Sequence, residues 1–188
     1  MRLTFARNAL AALALTSTLA SAAIYTVDPA HSTVGFKVKH MMISNVSGKF
    51  TDVAGTFDVT DGKFAALNGV IQAHSVNTDD KDRDKHLRGA DFFDTDKHPV
   101  ITFAFTKQEG DNVYGNLTIK GVTKPVVLTS KVSGEIKDPW GNLRTAFVLE
   151  GKINRKDFGL TWNKLLEAGG VAVDENVQLL IEAQGIRQ

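Results

Sequence analysis

The feature that most constrains this chain is an alternation of apolar and polar residues that runs through most of its length. Residues 31–40 show it most clearly. Five side chains of that segment share one face: Ser32, Val34, Phe36, Val38 and His40. The other face carries Lys37 and Lys39, which must meet water. Because successive side chains of a strand point to opposite faces, this pattern indicates a strand that is buried on one side only.

Seven further segments alternate in the same way. Their inward-facing sets are Val53, Phe57, Val59; Ile71, Ala73, Ser75; Ile101, Phe103, Phe105; Val113, Gly115, Leu117, Ile119; Val126, Leu128, Ser130, Val132; Phe147, Leu149, Gly151, Ile153; and Val177, Leu179, Ile181, Ala183. Turn residues separate many of these segments, so neighbouring strands can pair as antiparallel hairpins. Closing eight strands on themselves removes the unpaired edges of an open sheet. We therefore predict an all-β, eight-stranded antiparallel barrel.

Two segments depart from the strand pattern. Asp79 to Ala90 is polar, lacks β-branched residues and opens with acidic residues that suit a helix N-terminus. It predicts a short helix with Arg83 and Leu87 on one face, followed by the apolar pair Phe92-Phe93, near one end of the barrel. Residues 163–170 are predicted to form a short helix or a loop over the opposite rim.

The N-terminal segment has the pattern of a cleaved secretory signal. Arg2 and Arg7 precede an apolar run over residues 9–15 and a small-residue exit, Ala20-Ser21-Ala22. The run is too short for a membrane anchor, which needs about 20 apolar residues. We expect residues 1–22 to be removed and residues 23–188 to form a single domain in the periplasm or outside the cell.

Composition excludes several classes of partner and chemistry. The formal net charge is +1 without a basic run, so neither nucleic acid nor an anionic membrane surface is an expected partner. The chain has no cysteine, which excludes disulfides, thiol catalysis and cysteine metal sites. Its stability must therefore come from a packed core.

An outer-membrane barrel would also be exported and built of about eight strands. Its outward side chains would have to be apolar. The outward positions here include Lys37, Lys39, Asp58, Gln72, Lys131, Glu150, Lys152 and Glu182. This pattern predicts a soluble barrel with no integral membrane span.

The interior of an eight-stranded barrel is either filled by side chains or just wide enough for one small ligand. The inward-facing set mixes large residues with small ones: Ala73, Ser75, Gly115 and Gly151. Such small residues leave room for a channel, but a core of interdigitating large and small residues fits the same pattern.

No catalytic or metal site is predicted. The histidines, His31, His40, His74, His86 and His98, include no pair at helical or strand spacing, although residues of different strands can converge. The run 82–86 mixes acids, bases and a histidine, but successive helical residues point in different directions. No nucleophile elbow, phosphate loop or dinucleotide fingerprint occurs.

Four blocks of sequence resemble the YceI-like family, also described as polyisoprenoid-binding, lipocalin-like periplasmic proteins. They are HSTVGFKVKH (31–40), RDKHLRGADFFDTDKHP (83–99), GNLTIKGVTKPV (115–126) and GKINRKDFGLTWN (151–163). The resemblance spans essentially the whole chain after residue 22. It implies a lipocalin-like barrel that holds a long isoprenoid, isoprenoid quinone or fatty-acid-like chain without catalysis.

On this hypothesis the partner is a long-chain lipid that is bound, stored or transported, and no other cofactor is expected. The candidate tail-binding residues are Phe36, Val38, Ile71, Phe103, Leu117, Ile119, Leu128, Phe147, Leu149 and Leu179, with Phe92, Phe93 and Phe158 nearer the ends. The candidate head-group residues are His40, Arg83 and Trp162. Each could equally serve ordinary packing. An enzyme acting on a small hydrophobic substrate is the alternative, and a homodimer is left open.

Overall fold

The computed structural model describes residues 23–167 and 169–188, which contain twelve strands and one α-helix. The predicted leader, residues 1–22, lies outside the described residues. The strands are β1 Ile24–Val27, β2 Thr33–His40, β3 Ser44–Phe50, β4 Val53–Thr60, β5 Lys63–Gln72, β6 Val76–Asn77, β7 Val100–Glu109, β8 Asn112–Ile119, β9 Val122–Val132, β10 Ile136–Lys137, β11 Leu143–Asn154 and β12 Val173–Arg187. Helix α1 is Lys81–Arg88, and 3-10 turns cover Pro29–His31, Ala73–Ser75 and Arg155–Phe158.

The twelve strands occupy eight positions around the barrel, which we call staves. Four of these positions each hold two strands, one after the other. β1 and β2 follow one another along the same edge of β12, and β3 and β4 follow one another along their far side. β5 and β6 lie in turn along β4 and β3, and β9 and β10 share one edge of β11. β11 and β12 then pair antiparallel from Arg144↔Ile186 to Asn154↔Asn176, which closes the sheet. The predicted eight-stranded antiparallel barrel is confirmed.

Because neighbouring strands run antiparallel, the segments that connect them lie alternately at the two ends of the barrel. The β2–β3 turn, α1, the β8–β9 turn and residues 155–172 lie at one end, which we call the mouth. The β4–β5 and β7–β8 turns and residues 133–142 lie at the other, which we call the closed end. Residues 163–170 therefore lie at the same end as α1, and the prediction of the opposite rim is wrong. Residues 163–167 and 169–170 belong to a loop held by a bridge between Leu165 and Val171.

The predicted strand over residues 71–75 is wrong in its second half. Ala73–Ser75 is a 3-10 turn, in which the amide of Ala73 donates to the carbonyl of Pro99 (2.8 Å). The strand instead begins at Lys63 and buries Phe64 and Leu67. A bulge in the β4–β5 ladder places these two side chains on the same face at a spacing of three. A search for period-two alternation misses such a strand.

Strands β1 and β3 were not predicted, although β3 does alternate. Val46, Gly48 and Phe50 are partly buried between exposed Asn45 and Ser47. Simple alternation predicts an exposed Asp58, and this is wrong: the side chain is buried beside the register shift of the β4–β5 ladder, and its Oδ1 has no hydrogen-bond partner among the described residues. The other predicted outward positions are exposed or half-buried.

The predicted helix is confirmed with tighter bounds. The carboxylate of Asp80 accepts from the amides of Asp82 (3.1 Å) and Arg83 (3.0 Å), as an N-cap does, and the helix ends before Gly89. Its buried Asp84 accepts from the amide (2.8 Å) and hydroxyl (2.6 Å) of Thr78, which fixes α1 to the barrel. In the described residues no helix is long and apolar enough to cross a membrane.

Aromatic rings fill the closed end. Phe57 is 1% exposed, stacks on Tyr25 with ring centroids 5.1 Å apart, and meets Phe147 edge-on at 4.9 Å. Phe64 meets the same Phe147 ring at 5.1 Å. Burial, together with a hydrogen bond from the Tyr25 hydroxyl to Glu135, raises the pKa of Tyr25 to about 12. These four rings fill this end of the barrel, and we call them the aromatic plug.

An ion cluster ties the strands together beside this plug. The Arg144 guanidinium donates to Asp28 (2.7 Å), Asp138 (2.7 Å) and the side chain of Gln184 (2.8 Å), thereby joining β11, β12 and the chain between β1 and β2. Hydrogen bonds from Arg144 and then His31 lower the pKa of Asp28. Burial opposes ionisation of Asp138, but hydrogen bonds from Asn142 and Arg144 outweigh it and hold its pKa well below the ordinary value.

We predict that R144M lowers stability mainly above pH 4. Because the pKa values of Asp28 and Asp138 are lowered by folding, their stabilisation is complete above their unfolded pKa of about 4 and is lost as the pH falls through the lowered values. Urea unfolding at pH 7 should show a lower midpoint for R144M, and the difference from wild type should shrink on acidification. R187M, which breaks the more exposed 3.4 Å contact with Glu135, is the control and should have the smaller effect. A deficit that persists unchanged at low pH would contradict the assignment.

Candidate ligand-binding site

A cavity of about 550 Å³ runs inside the barrel from the mouth toward the aromatic plug. Its volume lies within the range of sites that bind small molecules, about 300–1,000 Å³. Apolar side chains from nearly every stave line it. The structure places all sixteen predicted ligand-binding residues along this cavity; that they contact a ligand stays a prediction.

Several large side chains of the cavity wall lie over glycines of the neighbouring strand. A methyl group added to Gly115 would be 2.2 Å from Cζ of Phe103, and one on Gly48 would be 2.4 Å from Cζ of Phe36. Gly151 is covered in the same way by Leu128. At Gly115 and Gly151 the second of the two alternatives therefore holds, because large and small residues interdigitate there. These glycines make room for neighbouring side chains to lie against the wall, and the centre of the barrel stays open.

Gly69 is different from the covered glycines. It faces inward with Leu67 and Ile71, lines the cavity, and an added methyl group would meet no atom within 4 Å. The cavity is thus open beside this residue.

Aromatic side chains surround the mouth. The turn after α1 directs Phe92 and Phe93 into the cavity. In this turn the Phe93 amide donates to the Leu87 carbonyl (2.9 Å). Phe93 meets Phe50 edge-on at 5.7 Å, and Phe92 lies 5.3 Å from Trp162, measured between ring centroids. Helix α1 and the 160–172 loop therefore meet over the cavity.

The ionisable side chains that line the cavity lie at the mouth. They are His40, Asp82, Arg83, His86 and Arg155, so one carboxylate stands among four basic groups in the described residues. Asp82 and His86 are also exposed at the surface, which shows that the cavity reaches solvent beside α1. Deeper in the barrel the lining is almost entirely apolar. The site is thus polarised along its length.

Arg83 has a structural role besides its place at the cavity. Its Nε donates to the hydroxyl of Thr78 and its Nη2 to the Thr78 carbonyl, both at 2.8 Å. Its side chain remains 40% exposed. Arginine has five N–H donors, so these two bonds leave capacity for a ligand.

Arg155 is a residue that the sequence analysis missed. It is buried, and its guanidinium donates to the carbonyls of Asp174 (2.8 Å), Leu160 and Val173 (3.2 Å), which holds the 160–174 segment over the cavity. Burial lowers its pKa, yet an arginine stays protonated. No local pattern marks it, because its partners are main-chain atoms. Phe50, Leu67 and Leu160 also line the cavity and are in none of the predicted inward-facing sets.

No three side chains of the kinds that bind metals come together anywhere in residues 23–167 and 169–188. His31 and His86 each pair with an aspartate, Asp28 at 2.9 Å and Asp91 at 3.0 Å.

Known proteins of similar sequence identify the family of this chain. Residues 25–185 match the family model of the YceI-like domain. The chain belongs to the YceI-like family. It is 42% identical to Protein YceI of Salmonella newport, covering 95% of each chain, and 40% identical to a UPF0312 protein of Pectobacterium atrosepticum, covering 92% of this chain and 90% of that one.

Solved structures agree with this membership. The crystal structure of the Campylobacter jejuni YceI protein is 36% identical and superimposes with a TM-score of 0.70, covering 86% of this chain and 96% of that one. A Saccharophagus degradans domain described as polyisoprenoid binding has the same fold, with a TM-score of 0.66 at 16% identity, covering 87% of this chain and 98% of that one.

We predict that G115A destabilises the barrel by about 1–3 kcal/mol, because the added methyl overlaps the Phe103 ring and lies 2.8 Å from the Ala104 carbonyl oxygen. G69A is the matched control. It should be neutral or stabilising by up to about 1 kcal/mol, since alanine restricts the unfolded chain and meets open space in the folded one. In an F103A background the cost of G115A should fall. Urea denaturation of the four variants measures this, and equal costs for G115A and G69A would contradict the wall geometry.

Proposed function

We propose that this barrel binds one long-chain apolar lipid, with the tail in the cavity and the polar head at the mouth, and does so without catalysis. The observation that carries the proposal is the polarised cavity, which is apolar in its depth, packed shut at the aromatic end and lined by basic groups where it reaches solvent. An amphiphile with one long tail matches that distribution.

Burial of the tail supplies the affinity. Each buried CH₂ group contributes about 0.8 kcal/mol, so one isoprene unit contributes roughly 3–4 kcal/mol before the cost of ordering a flexible chain. A few units suffice for tight binding. Because the wall offers almost no hydrogen bonds, selection along the tail would depend on its length and width.

The head group would lie among His40, Arg83 and Trp162. A guanidinium or ring N–H donates to phosphate, carboxylate or quinone oxygens. The buried charge of Arg155 adds to the positive potential at the same end. Membership of the YceI-like family and the fold shared with a polyisoprenoid binding domain support an isoprenoid or similar chain as the guest.

The proposed role is that of an exported carrier, which shields a lipid tail from water in the periplasm or outside the cell. The leader-like N-terminal segment supports export. An enzyme acting on a small hydrophobic substrate would need convergent polar groups deep in the lumen, and the apolar lining of the described residues counts against it.

The direct test is organic extraction of protein purified from its own cells, followed by mass spectrometry. We expect a long-chain lipid at up to one equivalent per chain. If none is recovered and added prenyl alcohols, prenyl phosphates and fatty acids all fail to bind, the proposal is wrong.

A second test compares adjacent residues of β12. Leu179 lines the cavity, whereas Leu180 is on the outer face and 44% exposed. L179W fills part of the lumen and should weaken binding of a fluorescent fatty acid by about 5- to 150-fold, since overpacking costs about 1–3 kcal/mol. L180W should bind as wild type does. Circular dichroism checks that both variants fold, and equal affinity of two folded variants would place the ligand elsewhere.

A further inference from the structure

Four large apolar side chains at the mouth point away from the barrel. Met41, Met42 and Ile43 form the β2–β3 turn and are 45%, 52% and 82% exposed, and Leu165 in the neighbouring loop is 87% exposed. We call these four residues the apolar rim. None of them lines the cavity. They therefore have no role in the ligand-binding site described above.

The apolar rim is one continuous feature built from two loops. The Met41 amide donates to the carbonyl of Ala172 (2.8 Å), and a methyl group on Gly170 would lie 3.4 Å from Cγ of Met42. Met41 and Met42 also both have positive φ, 49° and 64°. Successive non-glycine residues rarely adopt this conformation, because the Cβ atom crowds the backbone. The chain accepts it here in a turn that exposes apolar side chains.

The hairpin behind the rim is basic. Between residues 37 and 49 there are three lysines and no acidic residue, and Lys37, Lys39 and Lys49 are all exposed on its outer face. Lys164 precedes Leu165 and is exposed as well. Lys152 of β11 lies in the same row as Lys37, with Gln178 of β12 between them.

The other side of the mouth, at α1, carries charges of both signs. Asp79, Asp80 and Asp82 are exposed there, and so are Lys81 and Lys85. An anionic surface is therefore attracted more strongly by the hairpin side of the mouth, where no acidic residue lies between the lysines.

We propose that the apolar rim and the basic hairpin together form a docking surface for a bilayer that contains anionic lipid. Exposed apolar side chains above a band of lysines are the two features that hold a protein at a membrane surface, through burial at the headgroup level and attraction to lipid phosphates. This departs from the sequence-based expectation of no membrane partner, because net charge does not reveal a local band. Docking places the mouth of the barrel against the lipid leaflet. That a lipid enters the cavity from this leaflet rests on the proposed function.

Vesicle flotation tests the docking surface. The purified protein should float with vesicles of phosphatidylcholine and phosphatidylglycerol and much less with phosphatidylcholine alone. M42S/I43S should bind the anionic vesicles at least about tenfold more weakly. K37Q/K39Q/K49Q should lose up to about fivefold per lysine and become less sensitive to salt.

The control uses the closed end, where Ile136 and Trp140 are 62% and 83% exposed beside Glu135 and Asp138. I136S/W140S removes as much exposed apolar surface and should float as wild type does. The proposal is overturned if the wild-type protein does not float, or if M42S/I43S and I136S/W140S bind equally.

Binding of a water-dispersed fluorescent fatty acid separates this proposal from the proposed function. M42S/I43S should keep wild-type affinity, since neither residue lines the cavity, and should be slower to take up the fatty acid from vesicles. Protein that floats but never binds a lipid would refute the proposed function and leave the docking surface intact.

Discussion

The antiparallel ladder between β11 and β12 is the constraint on which the rest of the structure depends. It joins the last two long strands of the chain and converts a twisted sheet into a closed barrel with eight staves. Closure satisfies the main-chain hydrogen-bonding groups of the outermost strands without a partner molecule. It also fixes the diameter, because the number of strands sets the width of the interior. The cavity, the mouth and the plug are all consequences of that width.

Within this frame, large rings lie over glycines in both halves of the barrel, Phe57 over Gly185 at the closed end and Phe103 over Gly115 nearer the mouth. What differs is that rings from opposite walls also meet one another at the closed end. At the closed end large rings converge on one another, and Phe57, Phe64 and Phe147 fill the interior. Nearer the mouth, where Phe103 lies over Gly115 and Phe36 over Gly48, equally large rings leave the centre empty. The same residue types thus give a packed core in one half and a cavity in the other.

The charged side chains also differ between the closed end and the mouth of the barrel. At the closed end the partly buried carboxylates of Asp28 and Asp138 are paired with Arg144. At the mouth, Arg83 and Arg155 bind main-chain oxygens and Thr78 rather than saturating carboxylates, although Asp80 lies 3.7 Å from Arg83. The mouth therefore keeps a positive bias, and outside it the apolar rim and the lysines of the hairpin extend that bias toward a surface.

The alternation of side chains determined the fold class, the inward faces of most strands and the exclusion of an apolar outer surface, because pleating forces a period of two on any half-buried strand. Helix α1 followed from Asp80 and the polar run after it. Local pattern failed where the ladder is irregular: the bulge in the β4–β5 ladder breaks the alternation in the first part of β5, and Asp58 beside it is buried. It also failed where partners are distant, as for Arg155. Only the tertiary structure decided that the barrel is hollow, since this depends on which large side chains meet across the interior, and alternation within one strand carries no information about register with the next.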